Sequence, residues 1–514
     1  MSAKVGKLKP LKLGKNPLTL EEVREVAQDF RRVELDSSAI SRIQASREFL
    51  LGEVAAGKTL YGVNTGFGLM SNVKIADSSI EELQYNLLRS HAVGMGESIA
   101  EKHVRAMLLL RAQALVQGHS GVSLGLVEQI LLLLNRKVHP VIPSQGSVGA
   151  SGDLAPLSHL ALVLIGEGRA TFKGKVVSGR TALREAGIKP IRLGAKEGLA
   201  LINGTQFMAA LGTLALLDAE HLADVADAAG AMSLEALRGT VSAFDADIQS
   251  VRPHPGQIHV AKRVRQFLQP SGAKSAIAKS HEGCGRVQDP YSLRCIPQVH
   301  GASRDTMSFV RQVLEREINA VTDNPLVFPE KKKIVSGGNF HGQIVAIALD
   351  ALCIAVAELA SISEQRLEKL INPAISELPA FLVKEGGLNS GFMIVQVAAA
   401  AIVSENKTLC HPASVDSIPT SADKEDHVSM GAWAARKANQ VVTNSRRVLA
   451  MELLAGAQGI DLLRPLKSTA PLEALHRQVR RFAKRLDRDR FLHDEMVALE
   501  KLIESRELEK FVRS

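Results

Sequence analysis

Apolar residues recur at three- and four-residue spacing along most of the chain, with polar residues between them. This spacing places the apolar side chains on one face of an α-helix. The same segments are rich in Ala, Leu, Glu and Arg, which are good helix formers. The pattern predicts helices over residues 79–91, 99–117, 122–136, 206–230, 302–321, 342–371, 391–409 and 427–457.

The predicted helix 342–371 is long and is apolar on more than one side, which is typical of a helix in the centre of a bundle. Strand signals are sparse, and the clearest is Ala170–Val177, where Gly174 can turn a short hairpin. We therefore expect a mainly α fold, with a long central helical bundle and a smaller N-terminal mixed domain. The apolar residues that spread around helix 342–371 are Ile347, Ala351, Ile354, Val356 and Leu359.

The length of 514 residues suggests more than one domain. We expect a basic N-terminal tail over 1–15, an N-terminal domain over 16–220, and a helical bundle with a C-terminal helical region over 221–514. The tail carries five lysines, and Arg477–Arg490 carries seven basic residues, within a net charge of +9. Aromatic residues are not interleaved with these basic runs. A disordered tail and a solvated helix face therefore explain them better than nucleic-acid binding.

The four cysteines are widely spaced, with no C-x-x-C pair, which argues against a structural zinc site and a disulfide framework. The first thirty residues contain no apolar signal core, and the longest apolar runs, such as Ala351–Ala357, reach only seven residues. Secretion and membrane spanning are both unsupported by this pattern. We expect a reduced, cytoplasmic protein.

The segment Pro143–Pro156 holds three glycines within seven positions. One interpretation is a flexible turn before a helix that Asp153 caps. The other interpretation is chemical, because Gly152 has no Cβ and Ala150 is small. In a compressed turn the backbone nitrogen of Gly152 can then attack the carbonyl of Ala150. Loss of water from this ring and of the Ser151 hydroxyl leaves an electrophilic methylidene.

The fourteen-residue run Gly146-Ser-Val-Gly-Ala-Ser-Gly-Asp-Leu-Ala-Pro-Leu-Ser-His159 resembles the signature of the aromatic amino-acid ammonia-lyase family. Members of this family form 4-methylidene-imidazol-5-one from Ala-Ser-Gly. The resemblance implies that Ala150, Ser151 and Gly152 form this group autocatalytically, with no metal and no added cofactor. It also implies a homotetramer whose active sites are completed by loops from several subunits.

Three further segments resemble parts of the family's active site. Tyr61, in Tyr-Gly-Val-Asn-Thr-Gly-Phe-Gly, matches the tyrosine that transfers a proton, although a phenol titrates near about pH 10 unless its pKa is lowered. Asn203, in Leu-Ile-Asn-Gly-Thr-Gln, matches the residue that hydrogen-bonds the prosthetic group or the substrate. Phe340, in Gly-Asn-Phe-His-Gly, matches a residue that lies against the substrate. Without the resemblance, these segments are ordinary turns and a core residue.

The segment Gln-Asp-Pro-Tyr-Ser-Leu-Arg-Cys is similar to the family's carboxylate-binding segment. Gln288, Tyr291 and Arg294 recur every third residue, so a helical turn that begins near Pro290 would align them roughly on one side. An arginine presents a fixed fork of donors that suits a carboxylate. The resemblance makes Gln288 and Arg294 substrate-binding residues and Tyr291 a catalytic one.

Two positions bear on the substrate. Ser90-His91 stands where phenylalanine-specific members tend to have Phe-Leu, and Glu425 is the residue of the histidine-specific members. An imidazole has both a donor and an acceptor nitrogen, which His91 and Glu425 can match, whereas a phenyl ring would leave the pair unsatisfied. The expected reaction is elimination of ammonia from L-histidine to give trans-urocanate. Glu425 can alternatively contribute to proton transfer.

Three alternatives remain open from the sequence. The nearest is a tyrosine or phenylalanine ammonia-lyase or aminomutase on the same scaffold. Another is a lyase of the fumarase type, which shares a helical bundle but lacks the Ala-Ser-Gly cyclisation. The third is a basic helical scaffold protein that binds RNA or partner proteins.

Overall fold

Helices dominate the computed structural model, which describes residues 8–285 and 287–512. All eight helices predicted from apolar spacing are present, and most of their ends differ from the prediction by only a few residues. The mainly α fold is therefore confirmed. These helices are Ile80–His91, Glu101–Val116, Leu124–Asn135, Gln206–Ala236, Ile296–Glu317, Gln343–Ile371, Met393–Leu409 and Gly431–Leu462.

Further α-helices fill much of the remaining chain, and local capping explains where several of them begin. Thr19, for example, forms a capping box in which its side chain accepts from the Glu22 amide and the Glu22 carboxylate accepts from the Thr19 amide. The further α-helices are Leu20–Gln28, Ser37–Ala55, Leu154–Leu164, Gly179–Ala186, Glu197–Ile202, Ala246–Ser250, Pro255–Leu268, Ala276–Lys279, Tyr291–Arg294, Pro373–Ser376, Ala470–Arg480, His493–Glu504 and Glu509–Val512.

The β structure consists of small sheets among the helices. The hairpin predicted around Gly174 is confirmed, because Ala170 pairs with Val177 across a turn in which Lys173 and Gly174 have φ of 49° and 76°. The pairs and sheets are Leu11–Leu13 with Val33–Leu35, Met95–Ser98 with Pro143–Gln145, His139–Pro140 with Arg169–Phe172 and Lys175–Ser178, and Leu326–Phe328 with Lys333–Val335.

The chain divides into two compact units. The first holds the chain up to Leu214 together with Arg311–Asp350 and Pro412–Arg436. The second holds Ala215–Val310, Ala351–His411 and the chain from Lys437 onward. The predicted boundary at residue 220 lies near the first change of unit, but two later segments also belong to the first unit. Periodicity identifies helices, whereas it cannot show that a later segment packs beside an earlier one.

The helix Glu101–Val116 is buried on all sides, since every residue from His103 to Val116 is buried. Two arginines, Arg105 and Arg111, lie among its apolar residues and are 2% and 0% exposed. A charge without water must find partners inside the protein, so both guanidinium groups are held by specific hydrogen bonds. Arg105 donates to the carbonyls of Val26 and Leu134 at 2.8 to 3.0 Å.

The helix Gln343–Ile371 is, among the described residues, the one that is long and apolar enough to cross a membrane. In the apolar window that meets this test, 61% of the residues are buried, and core helices of other proteins meet the same test. Val356 and Leu359 are fully buried, as expected of a bundle helix, whereas Ile347 and Ile354 are 45% and 48% exposed.

Within the described residues, the first basic run is not a disordered tail, and the second is a solvated helix face only in part. Within the predicted disordered tail, Leu11–Leu13 forms a parallel strand pair with Val33–Leu35, because Leu11 and Leu13 are buried; residues 1–7 lie outside the described residues. In the second run the helix Ala470–Arg480 ends before most of the basic residues. Arg480 is not solvated but donates to Asp461 at 2.8 Å.

Candidate active site

The tripeptide Ala150-Ser151-Gly152 lies just before the helix Leu154–Leu164. Gly152 has φ of 74°, a left-handed conformation that favours glycine. A Cβ atom at Gly152 would lie 2.2 Å from the carbonyl oxygen of Gly204, so no larger residue fits here. Gly152 and Gly204 form an isolated parallel bridge, and the Asp153 amide donates to the Gly204 oxygen at 2.7 Å. The backbone of one loop is thus pressed against the backbone of another.

Asn203 follows the helix Glu197–Ile202 and is 3% exposed. Its side-chain Nδ2 donates to the carbonyl oxygen of Ser151 at 2.7 Å. Its Oδ1 is buried and has no hydrogen-bond partner among the described residues. A buried acceptor without a partner is uncommon in a folded protein, and it marks Asn203 as a residue that can receive a donor from a bound molecule.

Asp153 is completely buried, and burial raises the pKa of its carboxyl to about 7. Its Oδ2 accepts from the amides of Phe207 and Met208, both at 3.0 Å, and its Oδ1 accepts from Ser147 Oγ at 2.9 Å. The expectation that Asp153 caps its own helix is therefore wrong as regards the side chain. The carboxyl instead satisfies free amides at the start of the helix Gln206–Ala236, where a carboxylate is also favoured by the helix dipole.

A cavity of about 1140 Å³ opens beside the tripeptide, and all of its lining residues belong to the first unit. The lining brings together side chains that lie far apart in the sequence. The predicted site residues in its wall are Tyr61, His91, Ala150, Ser151, Asn203, Phe340 and Glu425.

Glu425 reaches the tripeptide directly, with its Oε1 accepting from Ser151 Oγ at 2.5 Å. Its Oε2 accepts from Thr420 Oγ1 at 2.7 Å and from Ser421 Oγ at 3.0 Å, so the carboxylate is held in one orientation. Three consecutive residues of this turn, 421–423, have φ between 54° and 60° although none is glycine. Such strained backbone persists where the surrounding structure enforces it, which is common at functional sites.

Tyr61 and His91 lie on separate parts of the cavity wall. The Tyr61 hydroxyl oxygen accepts from the Gly68 amide at 3.4 Å, and its ring meets Phe67 edge to face. His91 Nδ1 lies 2.9 Å from Ser90 Oγ, and burial lowers the pKa of the His91 imidazole. The neutral imidazole is therefore the favoured form near neutral pH, and it offers one donor and one acceptor.

The predicted carboxylate-binding residues are not in this cavity wall. Gln288, Tyr291 and Arg294 belong to the second unit, and Tyr291 is 71% exposed. The helical turn predicted near Pro290 is confirmed as Tyr291–Arg294, with the Arg294 guanidinium 4.5 Å from the centre of the Tyr291 ring.

Two residues of the cavity wall and one buried residue near the site were not identified from the sequence. His341 and His427 line the cavity with stacked rings, 5.9 Å apart and 4° from parallel. Each lies within two residues of a predicted site residue, and that proximity was the available signal. Arg111 is the other omission, and an arginine in the middle of an apolar helix was the signal for it.

The fold is shared with enzymes whose names refer to aromatic amino acids. Tyrosine aminomutase from Streptomyces globisporus superposes with a TM-score of 0.92 at 38% identity, covering 98% of each chain. Histidine ammonia-lyase from Trypanosoma cruzi superposes with a TM-score of 0.91 at 48% identity, covering 98% of this chain and 95% of the other.

Comparisons with known sequences identify the family within this class of enzymes. A curated histidine ammonia-lyase from Koribacter versatilis is 54% identical over 520 aligned positions, covering 99% of this chain and 100% of the relative. The family model described as aromatic amino acid lyase matches residues 18–481. The chain belongs to the aromatic amino acid lyase family.

Proposed function

We propose that this protein eliminates ammonia from L-histidine to give trans-urocanate. The observation that carries the proposal is the presence of His91 and Glu425, two polar groups, in the same cavity wall as Ser151. A cavity for a phenyl ring would place apolar side chains at these positions. The similarity to the histidine ammonia-lyases of Koribacter versatilis and Trypanosoma cruzi supports the same substrate.

The electrophile of this reaction is 4-methylidene-imidazol-5-one, formed from Ala150, Ser151 and Gly152. The Gly152 nitrogen bonds to the Ala150 carbonyl carbon, and the carbonyl oxygen leaves as water with the amide protons of Gly152 and Ser151. The Ser151 hydroxyl leaves as a second water with the Cα proton of that residue. The group then supplies an electrophilic carbon that makes ammonia easier to eliminate.

The residues around the tripeptide fit this group. Nothing larger than glycine is accommodated at 152, because the Gly204 backbone already occupies the space of a Cβ. Asn203 donates to the Ser151 oxygen, which remains as the ring carbonyl oxygen after cyclisation. Negative charge that develops on that oxygen is stabilised by a fixed, buried donor.

Glu425 changes partners when the group forms. Its Oε1 accepts from the Ser151 hydroxyl, which departs as water during cyclisation. The carboxylate oxygen is then released toward the cavity, where it can accept from an imidazole N–H of the substrate. The neutral His91 ring provides the second polar contact with the imidazole, and Phe340 packs against the substrate.

Tyr61 is the residue proposed to remove the substrate's β-proton, with its phenolic oxygen as the acceptor. The tyrosine lies in the cavity wall and is held by Gly68 and Phe67. Glu425 is the alternative acceptor, since its carboxylate faces the same cavity. Proton transfer of this kind needs a base within hydrogen-bond reach of the bound substrate.

The carboxylate of the substrate is bound by Arg294 and Gln288 of another copy of the chain, with Tyr291 completing the catalytic site. The proposal explains why these residues resemble the family's segment while they are absent from this chain's own cavity wall. A homotetramer also accounts for the apolar residues Ile347 and Ile354 exposed on the helix Gln343–Ile371. Exposed apolar residues of this kind favour burial between subunits.

The test is product formation from histidine, tyrosine and phenylalanine, each supplied alone to the purified protein. Ultraviolet absorbance distinguishes urocanate from the acrylates formed from the other two amino acids. Chromatography of the reaction mixture detects a β-amino acid, which an aminomutase would accumulate. The proposal requires urocanate from histidine at the highest kcat/KM of the three. Preference for tyrosine, or a β-amino acid product, would overturn it.

A further inference from the structure

Arg111 is a completely buried arginine, and among the described residues its hydrogen bonds all go to the segment 203–206. Its Nη1 donates to the backbone carbonyl of Asn203 at 2.8 Å and to Gln206 Oε1 at 3.0 Å. Its Nε and Nη2 have no hydrogen-bond partner among the described residues. The side chain is therefore poorly explained as a self-satisfied structural arginine, because most of its donor capacity is unused.

The backbone that Arg111 holds is the one that touches the cyclising tripeptide. Asn203 donates from its side chain to the Ser151 oxygen, while its own carbonyl accepts from Arg111. The next residue, Gly204, lies against Gly152, where a Cβ would be 2.2 Å from the Gly204 oxygen. A Cβ added to Gly204 would in turn lie 2.7 Å from Arg111 Nη1. The guanidinium, the 203–204 backbone and the tripeptide thus form three successive layers.

Gln206 supports the same arrangement from the other side. Its Oε1 accepts from Arg111, and its Nε2 donates to Thr322 Oγ1 at 2.9 Å. The oxygen and the nitrogen of this amide group are thus each oriented by one of these partners. The 203–206 segment is therefore anchored at both ends, and Arg111 is the one cation in direct hydrogen-bond contact with it among the described residues.

We propose that Arg111 is a positioning residue for cyclisation: it holds the Asn203-Gly204 backbone so that this segment keeps Ala150-Ser151-Gly152 compressed. The inference rests on the proposed prosthetic group. Cyclisation brings the Gly152 nitrogen to the Ala150 carbonyl carbon, and a tripeptide that relaxes away from this geometry reacts more slowly. Arg111 acts through the 203–204 segment and does not itself touch the reacting atoms.

Arg105 provides a matched control on the same helix. It is also buried, and burial lowers the pKa of both Arg105 and Arg111 to about 10. Its partners are the carbonyls of Val26 and Leu134 and the ring of His139, none of which lines the cavity. Replacing either arginine removes a buried cation from the helix Glu101–Val116. Arg111 alone of the pair is bonded to the segment that contacts the tripeptide.

The experiment follows cyclisation by intact mass, because each mature chain has lost the mass of two water molecules. Freshly synthesised wild type, Arg111→Met, Arg111→Lys and Arg105→Met are sampled over time, and thermal unfolding is measured on each. Arg111→Met should lose water about 10- to 100-fold more slowly than wild type. Arg111→Lys, which keeps a donor and the charge, should lie between them. Arg105→Met should mature at the wild-type rate even if its Tm falls as far as the Tm of Arg111→Met.

Maturation of Arg111→Met at the rate of Arg105→Met would overturn the inference and leave the proposed function intact. If Arg111→Met does not fold, Arg111→Lys decides: a wild-type rate overturns the inference, and a slower rate at an unchanged Tm supports it. A wild-type chain that never loses two waters would instead overturn the proposed function itself, and the inference with it.

Discussion

The side-chain amide of Asn203 donates a 2.7 Å hydrogen bond to the carbonyl oxygen of Ser151, while the backbone carbonyl of Asn203 accepts one from Arg111. One residue therefore connects a buried cation to the oxygen on which negative charge is proposed to develop. The side-chain amide of Asn203 is fixed in place before any substrate binds. Such preorganisation costs no rearrangement during the reaction, which makes a single donor effective.

Removal of the Asn203 donor should lower the turnover rate more than it weakens substrate binding. Asn203→Asp has the same size but offers only acceptors, so we expect kcat to fall by about 10²- to 10³-fold with a smaller change in KM. The measurement is steady-state kinetics with histidine, accompanied by intact mass to confirm that cyclisation has occurred. A cyclised Asn203→Asp protein with the wild-type kcat would contradict the role given to this amide.

In the proposed cyclisation, Ser151 supplies the hydroxyl whose loss creates the methylidene. Ser151→Ala should therefore fold normally and keep its oligomeric state, but retain the mass of at least one water and lose activity by several orders of magnitude. The relevant measurements are intact mass, size-exclusion chromatography and turnover of histidine. Near-normal turnover by Ser151→Ala would end the mechanism proposed here.

Local patterns predicted the helices well, because each depends on residues three or four apart in sequence. The apolar spacing in 99–117 indicated a helix, and the helix is there. Spacing could not show that Asp153 binds the amides of Phe207 and Met208, since that contact joins residues about fifty positions apart and replaces an equally plausible local cap.

The residues of the candidate site could likewise be predicted only in part. Tyr61, His91 and Glu425 were identified through motif resemblance, and the fold brings them to one cavity. Arg111 carries no motif of its own, and its role depends on the backbone carbonyl that lies opposite it. Arg294 could be recognised from the sequence, but it is absent from the cavity wall of its own chain, and its proposed role needs another copy of the chain.

Asp153 should make stability depend on pH. Its folded pKa, about 7, is raised above the unfolded value near 3.8. Between these values the folded state binds more protons than the unfolded state, so stability falls as pH rises from about 4 to about 7. Asp153→Asn, which cannot ionise, should lack this contribution. Measuring the Tm of both proteins across this range gives the difference; a difference independent of pH would contradict the raised pKa.

Arg294 should act in the active site of a different subunit. Arg294→Ala and Ser151→Ala should each be nearly inactive alone. When the two chains are expressed together and mix at random, about a quarter of the sites would combine an intact Ser151 with an intact Arg294 from another chain. Activity in the mixed protein should therefore recover to roughly that fraction. If Arg294 served its own chain's cavity, no site would hold both residues, and mixing would restore nothing.

Substrate choice should depend on His91 and Glu425 together. Glu425→Gln keeps the size and can still hydrogen-bond, but it loses the charge that strengthens a bond to an imidazole N–H. Charge-assisted hydrogen bonds contribute about 1.5–3 kcal/mol, so kcat/KM for histidine should fall by one to two decades or more, while the Tm changes little. Glu128→Gln, at an exposed position of the helix Leu124–Asn135, is the control for loss of a carboxylate and should leave kcat/KM unchanged.

His91→Phe tests the other half of the pair. In the wild-type protein, bound phenylalanine would leave the polar His91 ring unpaired, and the phenyl ring of His91→Phe removes this cost. The same substitution leaves the imidazole of bound histidine without a polar partner at this position. We expect kcat/KM to fall for histidine and to rise for phenylalanine, so that the ratio of the two shifts even if both remain slow. The ratio is measured with the two amino acids in competition, which cancels differences in the amount of cyclised protein. An unchanged ratio would show that His91 does not read the substrate ring, and it would leave selectivity to Glu425 and the stacked pair His341 and His427.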